Sequence, residues 1–328
     1  MTFGTMASTE DIIAATVIML LGLNGVCINL YVIYAVSKTK TFGYAFGRIC
    51  ISHTVANLGI TGVFSLLVGP ITLLAPWIHE TYWGHRCGQI LIIAPWIHET
   101  YWGHRCGQIL IMFWNAAVFS HFLTAVNRFV CLTWPMDYDI VFRKNVTNTT
   151  IALAWLLAML QVAPYFSEHC TFGFRFDSYT FKFYSSVCGF LIGTIFDYYM
   201  SICMVCIIAT IDFCTFLKIR SHHNKVNNLH LANPQAHRKK DRKFFFQACA
   251  QGVAFMGELI SFFTISSFVR GNMWWEFVFT TVAWIMVHTI DGPIRCHEER
   301  PCHQNHAKRS EIQEHGQVPC KSNRCETT

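Results

Sequence analysis

The groups in this chain with most capacity for chemistry are ionisable side chains set in apolar surroundings. Asp197 stands in CGFLIGTIFDYYMSICMVCIIATIDFCTFL and Glu258 in FFFQACAQGVAFMGELISFFTISSFV. A carboxylate in hydrocarbon costs at least a few kcal/mol, so such a residue meets a ligand, a neighbouring helix or a cavity water. Asp197, Glu258 and His121 are the candidates for a ligand pocket; a purely structural, hydrogen-bonded role stays open for both acids. Asp212, nearer the far end of its run, is expected to face water or neighbouring lysines. Arg128 closes CGQILIMFWNAAVFSHFLTAVNRFVCLTW, where an arginine either snorkels to an interface or faces a protein interior. Gln247 and Gln251, four apart, share a helix face on which amides bond neighbouring helices.

Catalytic patterns do not emerge. There is no Gly-rich phosphate loop, no HExxH, no nucleophile elbow and no paired carboxylates in one expected pocket, so no catalytic residue and no cofactor are assigned. Most of the 15 cysteines lie in apolar stretches as small hydrophobes. In the polar tail, Cys296, His297, Cys302, His303, Cys320 and Cys325 have spacings unlike a compact zinc site, and no metal is assigned. Cys296 and Cys302 follow the last apolar run closely and are candidates for S-palmitoylation.

These groups need elements to hold them, and composition says which. With 53% apolar, 15% aromatic and 13% charged residues, the chain is too apolar for a soluble domain of this size. Apolar runs lie at about 12–36, 44–74, 106–134, 150–165, from Cys188 onward, 244–269 and 274–290. At 1.5 Å per residue, the 22 steps from Cys106 to Arg128 span about 33 Å, the thickness of a bilayer core. The expected fold is an all-α membrane protein, a seven-transmembrane helix bundle over residues 12–294. A polar loop carrying Cys170, Arg175, Asp177 and Lys182 separates the fourth and fifth runs. Asn24, Gly25 and Asn29 in the first run suit close helix packing.

Lys38, Lys40, Arg143, Lys144 and the basic segment 218–243 put the loops at 37–43, 135–149 and 218–243, and the tail 295–328, in the cytoplasm. Residues 1–11 then lie outside, without the features of a signal peptide, and the first run is expected to act as its own insertion signal. The basic segment suits anionic membrane lipid and a G protein rather than nucleic acid, which it has no access to. The sequons at Asn145 and Asn148 fall on an inner loop, where they stay unmodified.

Residues 75–92 recur unchanged at 94–111. Identity over 18 residues, two Trp and a Cys included, is not what a packed structural repeat retains, so a recent duplication or a gene-model error accounts for it better. Only the second copy joins the third run at bilayer length; the first is expected to enlarge an outer loop.

TFGYAFG, SHFLTAVNRF, FFFQACAQG and HTIDG together resemble the nematode serpentine receptors of class x, a rhodopsin-like family, over residues 12–294. The resemblance implies a G-protein-coupled chemosensory receptor that binds an external small-molecule or peptide ligand and activates a heterotrimeric G protein. It also implies the plasma membrane, N-terminus outside, of sensory-neuron cilia. Asn127, Arg128 and Phe129 take the place of the Asp-Arg-Tyr triplet of rhodopsin-like receptors, so Arg128 is implied to hold the inner ends of the third and sixth helices together at rest. Asn127 in place of the acid predicts a weaker resting lock. A disulfide from Cys106 to Cys170 is implied, with Cys188 the alternative partner, less favoured because it begins the fifth apolar run. His288, Asp291 and Gly292 occupy the region of the Asn-Pro-x-x-Tyr motif. The competing readings are a small multi-span transporter, whose repeated bundles and broken helices are not seen here, and a nonfunctional receptor relative with a damaged gene model.

Overall fold

The computed structural model describes residues 7–38, 43–80, 98–167, 169–227 and 249–296. Helix α1 (Thr9–Lys38) starts from a reciprocal cap: the Asp11 amide donates to Ser8 Oγ (3.1 Å) and the Ser8 amide to Asp11 Oδ2 (2.9 Å). Helix α2 runs through Tyr44–Val63, widens into a π turn at Phe64–Val68 and continues over Gly69–Glu80. Pro70, which lacks an N–H and crowds the preceding turn, gives that widening its cause. Helix α3 (His98–Thr133) is followed by a one-turn helix at Tyr138–Val141 and by α4 (Lys144–Val162), whose last turn is a 3-10 helix at Ala163–Phe166. Then come β1 (Phe172–Arg175), β2 (Thr180–Phe183), α5 (Val187–Ser221), α6 (Cys249–Phe268) and α7, continuous over Met273–Phe277, Val278–Val282 and Ala283–Cys296.

Helices α1 to α6 are each long and apolar enough to cross a bilayer. Their exposed residues are large hydrophobics such as Leu20, Leu30, Leu157, Leu160, Phe196 and Val253, whereas Asn29, His53, Asn57, Gln251 and His288 are fully buried. An apolar exterior around a polar interior is the arrangement of a bundle solvated by lipid, where helices associate through close packing and interhelical hydrogen bonds. Gly25 shows the close packing. A Cβ there would sit 2.6 Å from both Thr289 Oγ1 and Thr61 Cγ2, so α1, α2 and α7 meet at a point only glycine leaves open.

The segment expected to be a polar loop is instead an antiparallel β-hairpin, with Phe172 opposite Phe183 and Arg175 opposite Thr180. Its sequence, FGFRFDSYTFKF, places an aromatic at every second residue on either side of the turn, the period of a strand with one buried face. Phe172, Phe174 and Phe181 are buried, and the hairpin roofs one end of the bundle. Tyr179, in its turn, has φ 49°, a conformation costly for a bulky residue. It is held there from two sides. Its hydroxyl donates to Asp11 Oδ1 (2.6 Å) and its carbonyl accepts from Thr281 Oγ1 (2.7 Å), tying the hairpin to α1 and α7.

The disulfide differs from the one implied by the resemblance. Cys170 pairs with Cys188, and Cys106 is a free, buried thiol. The hairpin explains this. The Tyr184 amide donates to the Thr171 carbonyl (2.9 Å), extending the pairing beyond the strands, and Ser186 Oγ donates to the His169 carbonyl while capping α5. Cysteines just beyond paired strand ends are brought to a Cα separation of 5.0 Å, within the bridging range. At α3 the position facing β1 is Gly107, where a Cβ would lie 2.1 Å from the Phe172 carbonyl oxygen. Cys106, one residue earlier, is buried in the main apolar cluster.

Three further expectations are modified. Asp212 is buried rather than facing water. Helix α4 begins at Lys144, so Asn145 and Asn148 lie in its first turns, where Asn148 Oδ1 accepts from the Tyr44 hydroxyl (3.2 Å). The second copy of the duplicated segment enters α3 from His98 on, as expected; the first extends α2 to Glu80, and the outer loop expected at 81–97 lies outside the described residues.

Candidate functional site

Three layers of polar and aromatic side chains lie along the bundle, from the hairpin end to the end that holds Arg128. The first is a narrow cavity of about 300 Å³ including its open mouth, lined by Ile111 and Trp114 of α3, Phe172 of β1, Asp197 of α5, Glu258, Leu259, Phe262 and Phe263 of α6, and Trp284 of α7. Asp197 lies in the π-helical stretch Leu191–Tyr199, Phe262 and Phe263 in Ile260–Ile265, and Trp284 just after Val278–Val282. Each wider turn shifts the helix face, and such turns gather at functional sites. Edge-to-face contacts of Trp284 with Phe64 (5.6 Å), Phe262 (5.8 Å) and Trp114 (6.3 Å) fix the walls. The structure brings Asp197 and Glu258 to the lining of one cavity, so the expectation of no paired carboxylates in one pocket does not hold. His121 is not among its lining residues: it packs one layer deeper, 5.4 Å from the Phe255 ring and 5.9 Å from that of His53.

The second layer is a hydrogen-bond network around Asp291 of α7. Oδ2 accepts from Asn57 Nδ2 (2.8 Å) and lies 3.0 Å from His53 Nε2, both on α2; Oδ1 accepts from Gln251 Nε2 of α6 (2.9 Å). Because the Asn57 amide nitrogen is committed to Asp291, its oxygen faces His288 Nδ1 at 2.9 Å as acceptor, which places a proton on that ring nitrogen. His288 Nε2 then turns towards Glu258 Oε1, 3.7 Å away. Asn29 Nδ2 donates to the Gly25 and His288 carbonyls (2.9 and 3.2 Å), adding α1. Gln251 therefore does bond across helices, while Gln247 lies outside the described residues. The members Asn57 and His53 went unassigned in the sequence. Their signal was there: a histidine and an asparagine four apart share one helix face within an apolar run.

The third layer holds Asn127 and Arg128, both buried at the end of α3, and the half-buried Phe129. Asn127 Nδ2 donates to the Tyr138 hydroxyl (3.1 Å) in the turn linking α3 to α4. Burial raises the Tyr138 phenol above its ordinary pKa, the Asn127 amide opposing, so the hydroxyl stays neutral and available as acceptor. Phe129 packs edge-on to Trp134 at 5.7 Å. Cys296 ends α7, and Cys302 lies outside the described residues. Among the described residues no group of three or more His, Cys, Asp or Glu is arranged to hold a metal ion.

Residues 19–297 match the family model described as serpentine type 7TM GPCR chemoreceptor Srx. The chain is also similar to serpentine receptor class X 45 of Caenorhabditis elegans, at 22% identity over 203 residues, 55% of this chain and 54% of that protein. The chain thus spans about half the length of the curated relative it matches.

Proposed function

The chain belongs to the Srx family of serpentine seven-transmembrane chemoreceptors, a receptor family rather than an enzyme family, and from that premise we propose a G-protein-coupled receptor working through the three layers. A chemical cue binds in the cavity under the hairpin, the Asp291 network transmits its presence, and the Arg128 end engages a heterotrimeric G protein. The carrying observation is that α6 and α7 contribute to both cavity and network, through Glu258 and Gln251 on one helix and Trp284, His288 and Asp291 on the other. Activation is a population shift: a cue favours an open Arg128 end only by binding that state more tightly.

The hairpin end is assigned to the outside of the plasma membrane. Lys38, Arg143, Lys144, Lys218 and Arg220 all belong to the opposite end of their helices, which the positive-inside rule puts in the cytoplasm. A cue from outside suits a location in the cilia of sensory neurons.

The test is nucleotide exchange by purified heterotrimer mixed with the full chain in lipid nanodiscs. Exchange above that of heterotrimer alone, lost in Arg128→Ala, is expected. Equal exchange with wild type and Arg128→Ala overturns the assignment of the G-protein end.

A further inference from the structure

Among the described residues, two buried acids and no basic side chain line the cavity. Glu258 Oε1 is 3.7 Å from His288 Nε2, while Oε2 is buried with no hydrogen-bond partner. At that distance His288 is a charge neighbour of Glu258 rather than a hydrogen-bond partner. Asp197 differs. It is buried, and its carboxylate makes no hydrogen bond or ion pair with any described residue. Lysine does not neutralise it from above either, since Lys182 of the hairpin is committed to Glu276 Oε2 at 2.5 Å. The cavity therefore offers one uncompensated carboxylate, one spare acceptor on Glu258, and ring faces and edges of Trp114, Phe172, Phe262 and Trp284.

Chemistry narrows the occupant. A carboxylate ligand would add like charge to a desolvated acid, and a neutral apolar ligand would seal Asp197 in without a partner, both unfavourable. A divalent metal wants about six oxygen ligands, which aromatic walls cannot supply. An ammonium meets every requirement: its N–H groups reach Asp197 and Glu258 Oε2, and its charge is stabilised over aromatic faces. Resting on the receptor reading above, we propose that the cue is a small organic monocation, an amine whose ammonium lies between Asp197 and Glu258 and whose apolar body contacts the Trp and Phe walls.

The experiment uses the purified full chain in detergent and reads thermal unfolding, which needs no G protein. Probes come as charge-matched triads of one shape, such as 2-phenylethylamine, 2-phenylethanol and phenylacetate, repeated over several ring and chain sizes. Stabilisation by amines alone, at one size or more, is expected. Asp197→Asn weakens the best amine by roughly tenfold to a hundredfold, the worth of a charge-assisted hydrogen bond, and Glu258→Gln, which keeps an acceptor oxygen, by less. Stabilisation by the alcohol equal to that by the amine, or by no amine at any size, overturns the proposal without reference to any variant. So does undiminished amine binding by Asp197→Asn. An amine that binds wild type but leaves nucleotide exchange unchanged sinks the receptor reading and spares this one; exchange driven by a neutral or anionic cue does the reverse.

Discussion

Replacing Asn57 by alanine removes the residue on which the central network turns, and the consequence can be worked from the geometry. Two interhelical hydrogen bonds vanish, Asn57 Nδ2 to Asp291 Oδ2 at 2.8 Å and His288 Nδ1 to Asn57 Oδ1 at 2.9 Å. In a membrane such bonds contribute about 0.6 kcal/mol each on average, so their direct loss is only about 1 kcal/mol. The larger effect is what remains. Asn57 and His288 are 0% exposed and Asp291 is 2% exposed, so neither the His288 N–H nor the weakened Asp291 carboxylate is reached by solvent. An unsatisfied buried polar group costs roughly 1–3 kcal/mol. With the His288 N–H the group left without a partner, Asn57→Ala should therefore destabilise the bundle by about 2–4 kcal/mol, or roughly 4–12 °C in unfolding midpoint for a protein near this size. A fluorogenic thiol dye reports the transition through Cys50 and Cys106, both buried when folded. Asn24→Ala is the control, since Asn24 is exposed on α1. Removing Asp291 as well costs less after Asn57→Ala than in the wild type, because the Asn57–Asp291 bond is already gone, so the two losses should be sub-additive. A midpoint for Asn57→Ala within about 1 °C of the control, or strict additivity in the double variant, would refute the account.

Tyr179→Phe removes the hydroxyl bonded to Asp11 while keeping the ring, and should lower the midpoint by about 2–5 °C and speed proteolysis within the hairpin. Tryptic mapping without reduction should recover Cys170 linked to Cys188 and leave Cys106 alkylated after unfolding; a Cys106–Cys170 peptide contradicts the described pairing. Breaking that bridge with Cys188→Ser should cost about 3 kcal/mol, the value for a loop of this length, whereas Cys106→Ser costs only what a buried thiol packs. Asn127→Asp places a carboxylate beside Arg128 and should lower basal nucleotide exchange about three- to tenfold through a partly buried ion pair; unchanged basal exchange sinks the weaker-lock reading. Gly25→Val should abolish monodisperse folded protein, because its side chain would overlap Thr61 and Thr289.

Hydropathy made the helices legible because each must be apolar over about 20 residues whatever it packs against. The expected second run, 44–74, matches a described span of Tyr44–Leu74, and the expected first run of 12–36 falls inside Thr9–Lys38. Ends were less legible: α4 starts six residues before the expected Thr150, since a polar first turn reads as loop until tertiary contacts such as Tyr44 to Asn148 are known. Of the site, Asp197 and Glu258 were found because an acid in hydrocarbon stands out. The particular residues of the aromatic walls were not, since Trp114, Phe262 and Trp284 are ordinary residues in apolar helices, and for Phe262 and Trp284 the facing side depends on π turns in or just before them. The hairpin was missed for a different reason. Arg175, Asp177 and Lys182 give the segment the composition of a polar loop, although aromatics alternate between them.

The polar core gives the proposed signal a material route. Glu258 and Gln251 lie seven residues apart on α6, two turns, so one face of that helix meets both the cavity and Asp291. His288 stands between these two contacts: Nε2 faces Glu258 and Nδ1 is held by Asn57, which in turn holds Asp291. A cation drawn to Glu258 competes with His288 for the same carboxylate. When the cation wins, the imidazole loses Glu258 as its charge neighbour, and the Asn57–Asp291–Gln251 bonds are free to rearrange. The network has discrete hydrogen-bonded arrangements rather than a continuum of them, because a buried amide or imidazole either meets a partner or leaves one stranded. That discreteness is what a two-state element requires, and spatial continuity alone would not supply it. Helices α6 and α7, which meet both the cavity and the network, then carry recognition and response together.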